Sequence, residues 1–266
     1  MATVKDVYAA VDQIAPFAAQ MDFDNAGFLV GRGEQQVTRL LVSLDITEEV
    51  VWEAVERGVE LIVSHHPIIF HPARSITDET SVGRIVLALA ERGIAAICAH
   101  TNLDASVGGV NDALADALGL TECTVLEPSG TDRAGAVIGV GRTGVLRTGT
   151  GMDAAAYAAQ VKKALGANGV RYVDAGRPVY RVAVGGGACG DMLSLACKLR
   201  CDTFVTADVK YNIFLDAKAE GVNLIDAGHF PTENVICPIL AQKLRNIFPG
   251  VEVMLSQRHK EVFSYL

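Results

Sequence analysis

The chain has 266 residues, of which 50% are hydrophobic and 20% charged, enough apolar material to bury a large core as one big domain or as two packed halves. A net charge of −8 without a dense Lys/Arg run argues against nucleic acid or an acidic membrane as the main partner, leaving room only for a local basic pocket. No run approaches the ~18 apolar residues that a membrane-spanning helix needs.

In chain order, residues 1–20 (MATVKDVYAAVDQIAPFAAQ) form an amphipathic helix pattern. Lys5, Asp6 and Asp12 interrupt the apolar core that a signal peptide requires, so the expected location is the cytoplasm. Residues 60–70, ELIVSHHPIIF, read as a short buried strand ending in a turn that carries His65 and His66. Two of the six histidines side by side are either an accident, each hydrogen-bonded at a turn, or a site. Residues 93–105, GIAAICAHTNLDA, repeat the pattern: an apolar strand exits into His100, Thr101, Asn102 and Asp104. A helix with Val110, Leu114 and Leu118 on its apolar face follows.

The chain also contains a second copy of one unit. SLDITEEVVWEAVERGVELIVSHHP (residues 43–67) aligns with TADVKYNIFLDAKAEGVNLIDAGHFP (residues 206–231). Asp45 pairs with Asp208, Gly58 with Gly221 and Leu61 with Leu224; one inserted residue then puts His65 on His229 and Pro67 on Pro231. Each copy reads as strand, helix, glycine stop, strand and an exit histidine. The expected fold is therefore α/β, with two similar halves of mixed sheet flanked by helices, residues 1–125 and 126–266, and a metal site in the cleft between them. Ligands of open α/β sheets collect beyond the carboxyl ends of strands, where these histidines fall.

Glu233 lies four residues after His229 with Pro231 between, which places His229 just ahead of a helix and Glu233 in its first turn. The candidate metal ligands are thus His65, His66 and Asp104 in the first half and His229 and Glu233 in the second. Neighbours in an extended backbone point to opposite sides, so His65 and His66 would serve two ions rather than one. Glu233, with two oxygens, can bridge them. Two divalent cations against two carboxylates leave positive charge that suits a hydroxide and an anionic substrate.

The segments HHPIIF, AHTNLDASVGGVNDALADALGL, GGGACGDML and TADVKYNIFLDAKAEGVNLIDAGHFPTE, with DFDNAGFLVG and SLDIT, resemble in order the motifs of the Nif-three-like dinuclear metal centre family, whose members are called GTP cyclohydrolase I type 2 homologues. The resemblance implies that His66 and Asp104 bind one metal, that His65 and His229 bind the other, and that Glu233 bridges both. It also implies a homohexamer, a trimer of dimers, with the metal sites facing an internal cavity. Some members carry an extra domain between the halves; the short stretch EPSGTDRAGAVIGVGRTGVL has no space for one. Where many members read T-G-D and then K-Y-H, this chain has Ala207 and Asn212, which puts the surroundings of the ligands in question.

Other features have two readings each. Gly185, Gly187 and Gly190 fit G-x-G-x-x-G after a strand, with Asp208 at the distance of a ribose-binding acid; a tight turn, or backbone N–H groups offered to a substrate phosphate, explains them as well. Asp45 and Asp208 either hydrogen-bond ligand histidines or cap helices. His100 orients Asp104, shuttles a proton, or is a buried structural histidine. His71 and His259 read as loop residues. The six cysteines show no C-x-x-C and read as buried small hydrophobes, although Cys197 and Cys201 have the spacing of a shared helix face or a shared metal.

The expected function is a dinuclear metal-dependent hydrolase using two divalent ions (zinc, iron or manganese), in which a metal-bound hydroxide attacks a nucleotide-like or other small anionic substrate. The alternative is a metal-binding hexameric scaffold or regulatory partner without turnover.

Overall fold

A computed structural model describes residues 1–147 and 150–266. The chain opens with β1 (Ala2–Thr3) and α1 (Val4–Ile14), then β2 (Gly27–Val30), β3 (Gln36–Val37), β4 (Arg39–Ser43), α2 (Glu48–Glu56), β5 (Leu61–Ser64), α3 (Ser81–Arg92), β6 (Ala95–Cys98) and α4 (Thr101–Ala105). It continues through α5 (Val110–Ala117), β7 (Leu120–Thr131), β8 (Val137–Leu146), α6 (Ala154–Leu165), β9 (Arg171–Val173), β10 (Arg181–Val184) and α7 (Leu193–Lys198). β11 (Thr203–Thr206), α8 (Tyr211–Glu220), β12 (Asn223–Asp226), α9 (His229–Glu233), α10 (Ile236–Ile247) and β13 (Glu252–Leu255) complete it.

Helices α1, α2 and α6 start where the sequence supplies side-chain acceptors for their first amides. Thr3 and Asp6 form a reciprocal capping box on α1, Thr47 accepts from the Val50 amide of α2, and Asp153 accepts from two amides of α6. The aligned glycines Gly58 and Gly221 both adopt left-handed backbone, φ 62° and 70°, just past the ends of α2 and α8. These are the two helix stops anticipated from the repeat.

Two compact units result. The first comprises residues 1–106 and 237–260, the second residues 107–236 and 261–266. This division differs from the expected boundary at 125/126. The segment carrying α5 builds the second unit, and residues 237–260 return to the first because β13 pairs in parallel with β4. The stretch between residues 127 and 146 lies within β7 and β8, an antiparallel hairpin.

The first unit holds a five-stranded sheet in the order β13-β4-β5-β6-β2, parallel except for β2. β5 and β6 are buried along their whole length, which explains their apolar sequences, broken only by Ser64 at the end of β5. Leu41, Ile62 and Ala96 pack with Val50 and Ala54 of α2 and Ile85 and Leu89 of α3. The second unit holds a six-stranded sheet, β7-β8-β10-β11-β12-β9, in which β10, β11 and β12 are parallel. Val182, Val205 and Ile225 pack there with Leu114 of α5 and with Tyr157 and Val161 of α6. Among the described residues no helix is long and apolar enough to cross a membrane.

Candidate metal centre

In the first unit the parallel strands deliver their exits to one sheet edge. Asp45 follows β4, His65 and His66 follow β5, and His100 follows β6. β2 runs antiparallel to β6, so the loop before it brings Asp24 to the same edge. His65 and His66 occupy a bend whose amides both donate to the Leu44 carbonyl, at 3.1 and 2.9 Å. The bend overturns the expectation that the two rings point to opposite sides. Their centroids are 4.9 Å apart, and the ring nitrogens of His65, His66 and His100 include a set lying within 4.8 Å of one another.

The H-T-N-L-D segment has a division of labour. Asp24 accepts from the His100 ring Nδ1 at 2.7 Å and from the Thr101 amide at 3.0 Å. Asn102, fully buried, accepts from the His100 amide and donates to the Ala15 carbonyl at the end of α1. Leu103 enters the core, and Asp104, on α4, brings a carboxylate oxygen to 3.6 Å from His65 Nε2.

Every imidazole here has its Nδ1 held. His65 Nδ1 lies 2.8 Å from the Ala99 carbonyl, His66 Nδ1 2.7 Å from Asp45, and His100 Nδ1 2.7 Å from Asp24. A carbonyl or carboxylate only accepts, so Nδ1 carries the proton and the lone pair of the neutral ring sits on Nε2. Burial pushes the Asp24 carboxyl up, but the hydrogen bonds from His100 and Thr101 outweigh it and bring it down to about 2. Burial acts likewise on Asp45, and hydrogen bonds from His259 and His66 hold it well below the ordinary carboxylate range. Both stay ionised, as acceptors of a ring N–H must. Burial raises the Cys98 thiol well above its usual value, and its Sγ donates to the His65 carbonyl at 2.9 Å.

The second unit repeats the device. Asp208 follows β11 and accepts from His229 Nδ1 at 2.7 Å, while His229 Nε2 lies 3.0 Å from Glu233 Oε2. Gly228, at φ 86°, caps α9, so the helix begins at His229 itself rather than after it. His229 and Glu233 are then its first and last residues, one turn apart on the same face. Pro231 sits within the first turn, where no intrahelical N–H is missed. The shared Asp–Nδ1 bond makes His66 the counterpart of His229, one residue beyond His65 in the sequence alignment.

Gly187 is shaped by this pair. At φ +66°, a Cβ there would stand 2.2 Å from Glu233 Oε1 and 3.1 Å from His229 Nε2. The glycine loop does not present a phosphate cradle: the Gly185 amide donates to Val205, Gly186 to Asn111 and Gly187 to the Thr232 hydroxyl. Asp208 meets His229 rather than standing ready for a ribose. Ala207 is buried, and the left-handed residue is its neighbour Asp208, at φ 51°, so the alanine needs no glycine freedom. Asn212 is exposed at the start of α8. Cys201 lies beyond the end of α7, so it does not share a helix face with Cys197, and Cys123 is exposed rather than buried.

Sequence reasoning missed two partners. Asp24 holds His100 across 76 residues, and His259 Nε2 lies 2.8 Å from Asp45 across 214. The only signal for Asp24 was its place in DFDNAGFLVG, and for His259 there was none.

The donor set fits divalent cations. Imidazole Nε2 atoms whose Nδ1 is fixed by a carboxylate or carbonyl, accompanied by carboxylate oxygens, are the arrangement by which proteins orient metal-binding histidines. His65, His66 and Asp104 provide it in the first unit, and His229 and Glu233 in the second.

Comparison with known proteins agrees over the whole chain. The model of the Duf34/NIF3 (NGG1p interacting factor 3) family matches residues 2–261. A Clostridium perfringens protein named GTP cyclohydrolase 1 type 2 homolog is 33% identical over 99% of each chain. A Streptomyces coelicolor protein of the same name is 35% identical, over 93% of this chain and 87% of its own. Among solved structures, a Staphylococcus aureus protein superposes with TM-score 0.92 at 30% identity, over 99% of each chain. A family model matched over almost the whole chain, a common fold and this extent of identity leave one conclusion: the chain belongs to the Duf34/NIF3 family.

Proposed function

We propose that the protein is a dinuclear metal-dependent hydrolase acting on a small anionic, nucleotide-like substrate, with His65, His66, Asp104, His229 and Glu233 as metal ligands. The observation that carries this reading is the uniform treatment of the histidines: each has its Nδ1 held, so each directs a lone pair from Nε2. Two divalent cations in such a donor set supply Lewis acidity at a carbonyl or phosphoryl oxygen and lower the pKa of water toward neutrality. Around them the chain has its own tasks. Asp45 and Asp208 fix the tautomers of His66 and His229, and Gly187 leaves room for the Glu233 carboxylate. His100, hydrogen-bonded through Nδ1 to Asp24, takes up a proton at Nε2 and stabilises it through that carboxylate. The name of the Clostridium perfringens relative makes a purine nucleotide the first substrate to try.

The test is metal content by mass spectrometry on protein purified without chelator or affinity metal. About two ions per chain are expected, largely lost in the His65→Ala, His66→Ala double variant. Glu233→Gln should abolish hydrolysis of GTP or phosphoester substrates in a folded protein. A well-folded parent that takes up no zinc, manganese or iron overturns the proposal.

A second reading is a hexameric scaffold, in which an exposed apolar pair would serve as a contact between copies. Tyr211 and Leu215, one helical turn apart on α8, are 77% and 53% exposed, an apolar pair on an outer face. Light scattering would then give six times the 28.1 kDa chain mass, reduced by Leu215→Glu. Assembly without turnover on any substrate class would favour the scaffold.

A further inference from the structure

The last residues of the first unit return to its ligand edge. β13 pairs in parallel with β4, so its carboxyl end emerges beside the exit of β4, where Asp45 stands. The Ser256 amide extends the pairing by donating to the Val42 carbonyl at 2.9 Å. Beyond it, Glu53 of α2, a buried carboxylate, accepts from the Ser256 hydroxyl at 2.6 Å, the Gln257 amide at 3.0 Å and the Arg258 amide at 3.2 Å. Arg57 holds the same carboxylate from the next turn of the helix, at 2.7 Å. The His259 amide donates to the Ser256 hydroxyl oxygen at 3.1 Å, and its ring Nε2 reaches Asp45 Oδ2 at 2.8 Å. Asp45 therefore receives two imidazoles, His66 on Oδ1 and His259 on Oδ2.

We infer that His259 is a positioning residue for metal binding: anchored by Glu53, it fixes the Asp45 carboxylate so that Oδ1 faces His66 Nδ1 and the Nε2 lone pair of His66 stays aimed at the ion. The inference rests on the metal-binding reading given above. Asp45 is partly exposed, with 39% of its side chain accessible, so without His259 water would replace one hydrogen bond and the carboxylate would gain rotamers. Two effects oppose each other. The His259 N–H draws electron density from the carboxylate and makes it a weaker partner for His66, whereas the constraint on orientation strengthens that partnership. Orientation dominates, because an acceptor that turns away loses the His66 bond altogether. The second unit supplies a contrast, since no second imidazole reaches Asp208 among the described residues.

The experiment measures the affinity of the full chain for Zn²⁺ by chelator competition, in the parent and in His259→Ala, His259→Gln and His259→Phe, with apo melting temperatures alongside. Asp45→Ala, the direct partner, sets the scale at roughly 10–100-fold. His259→Ala and His259→Phe should weaken the site that includes His66 by about 3- to 10-fold, a part of that range, without a matching loss of apo stability. His259→Gln, which keeps an N–H donor, should recover most of it. In the apo protein the side-chain ¹⁵N resonance of His66 should move in His259→Phe while that of His229 does not. His259→Phe keeps a planar ring at this position without the N–H donor, so it decides the matter if the alanine variant folds poorly. Affinity and His66 resonance unchanged in His259→Phe, with Asp45→Ala weakened, would overturn the inference and leave metal binding intact. A parent chain that takes up no zinc, manganese or iron would overturn both.

Discussion

The two units build the same strand–helix–strand crossover, end it in the same Asp–His pair at the same 2.7 Å, and then diverge. In the first unit the pair is one member of a three-histidine group, and its carboxylate is shared with His259. In the second, the pair stands at the start of a five-residue helix whose last residue is Glu233. The difference shows what each surrounding sheet contributes. β4 and β11 are each flanked by two strands, but the outer neighbour of β4 is β13, whose exit carries His259, whereas that of β11 is β10, whose exit is the glycine loop, and the exit of β12 runs into a helix. One ligand set is made by convergence of strands, the other by helical periodicity.

Removing the carboxylates that hold a ring Nδ1 should give the largest effect. Asp45→Ala and Asp208→Ala should each weaken zinc binding by roughly 10–100-fold, with Asp45→Ala the more severe because His66 and His259 lose their common acceptor together. Isothermal titration of both variants checks this, and equal losses would erase the distinction between the units. Next comes Gly187→Ala, which acts in the second unit alone. Left-handed backbone at φ +66° costs an alanine about 1–2 kcal/mol, and its methyl would displace Glu233. A fall of a few degrees in melting temperature together with weaker zinc binding is the expected result.

A smaller effect, confined to the first unit, depends on pH. Burial raises the Glu53 carboxyl, but hydrogen bonds from Ser256, Gln257 and Arg57 outweigh it, so its folded pKa lies below the ordinary value. The unfolded chain then binds the proton more readily, and the stabilisation from Glu53 is present above the ordinary glutamate pKa of about 4.3 and lost as pH falls through the folded value. Hydrogen exchange at the Gln257 and Arg258 amides should lose protection on acidification before the core of β5 does. Glu53→Gln should flatten that slope. The smallest change is expected from Tyr157→Phe in the core of the second unit. Its buried hydroxyl has no hydrogen-bond partner among the described residues, so removing it should be neutral or stabilising by up to about 1 kcal/mol in urea denaturation.

Much of this was legible in the residues. The apolar runs of β5 and β6, the glycine stops Gly58 and Gly221, and the duplicated crossover all follow from local rules of burial and helix termination. The residues also single out His65, His66, Asp104, His229 and Glu233 as candidate ligands, because all five stand at the exits of strands, where ligands of α/β sheets collect; the metal-content measurement tests that choice. The relation between the His65 and His66 rings was not legible, because the pleat argument assumed an extended backbone where the chain bends to hydrogen-bond with Leu44. Nor was the role of the glycine loop, whose motif looked alike whether its amides faced a phosphate or, as found, Val205, Asn111 and Thr232.

The sequence by itself determined which segments would be strands, where the helices stop, and which side chains would stand at the strand exits, because periodicity and capping act over a few residues. Only the tertiary structure decided which exits are neighbours. Asp24 meets His100 because β2 runs antiparallel to β6, and His259 meets Asp45 because β13 lies beside β4. Strand order is set by how whole apolar faces pack into a sheet, a collective balance that no local pattern around Asp24 or His259 records.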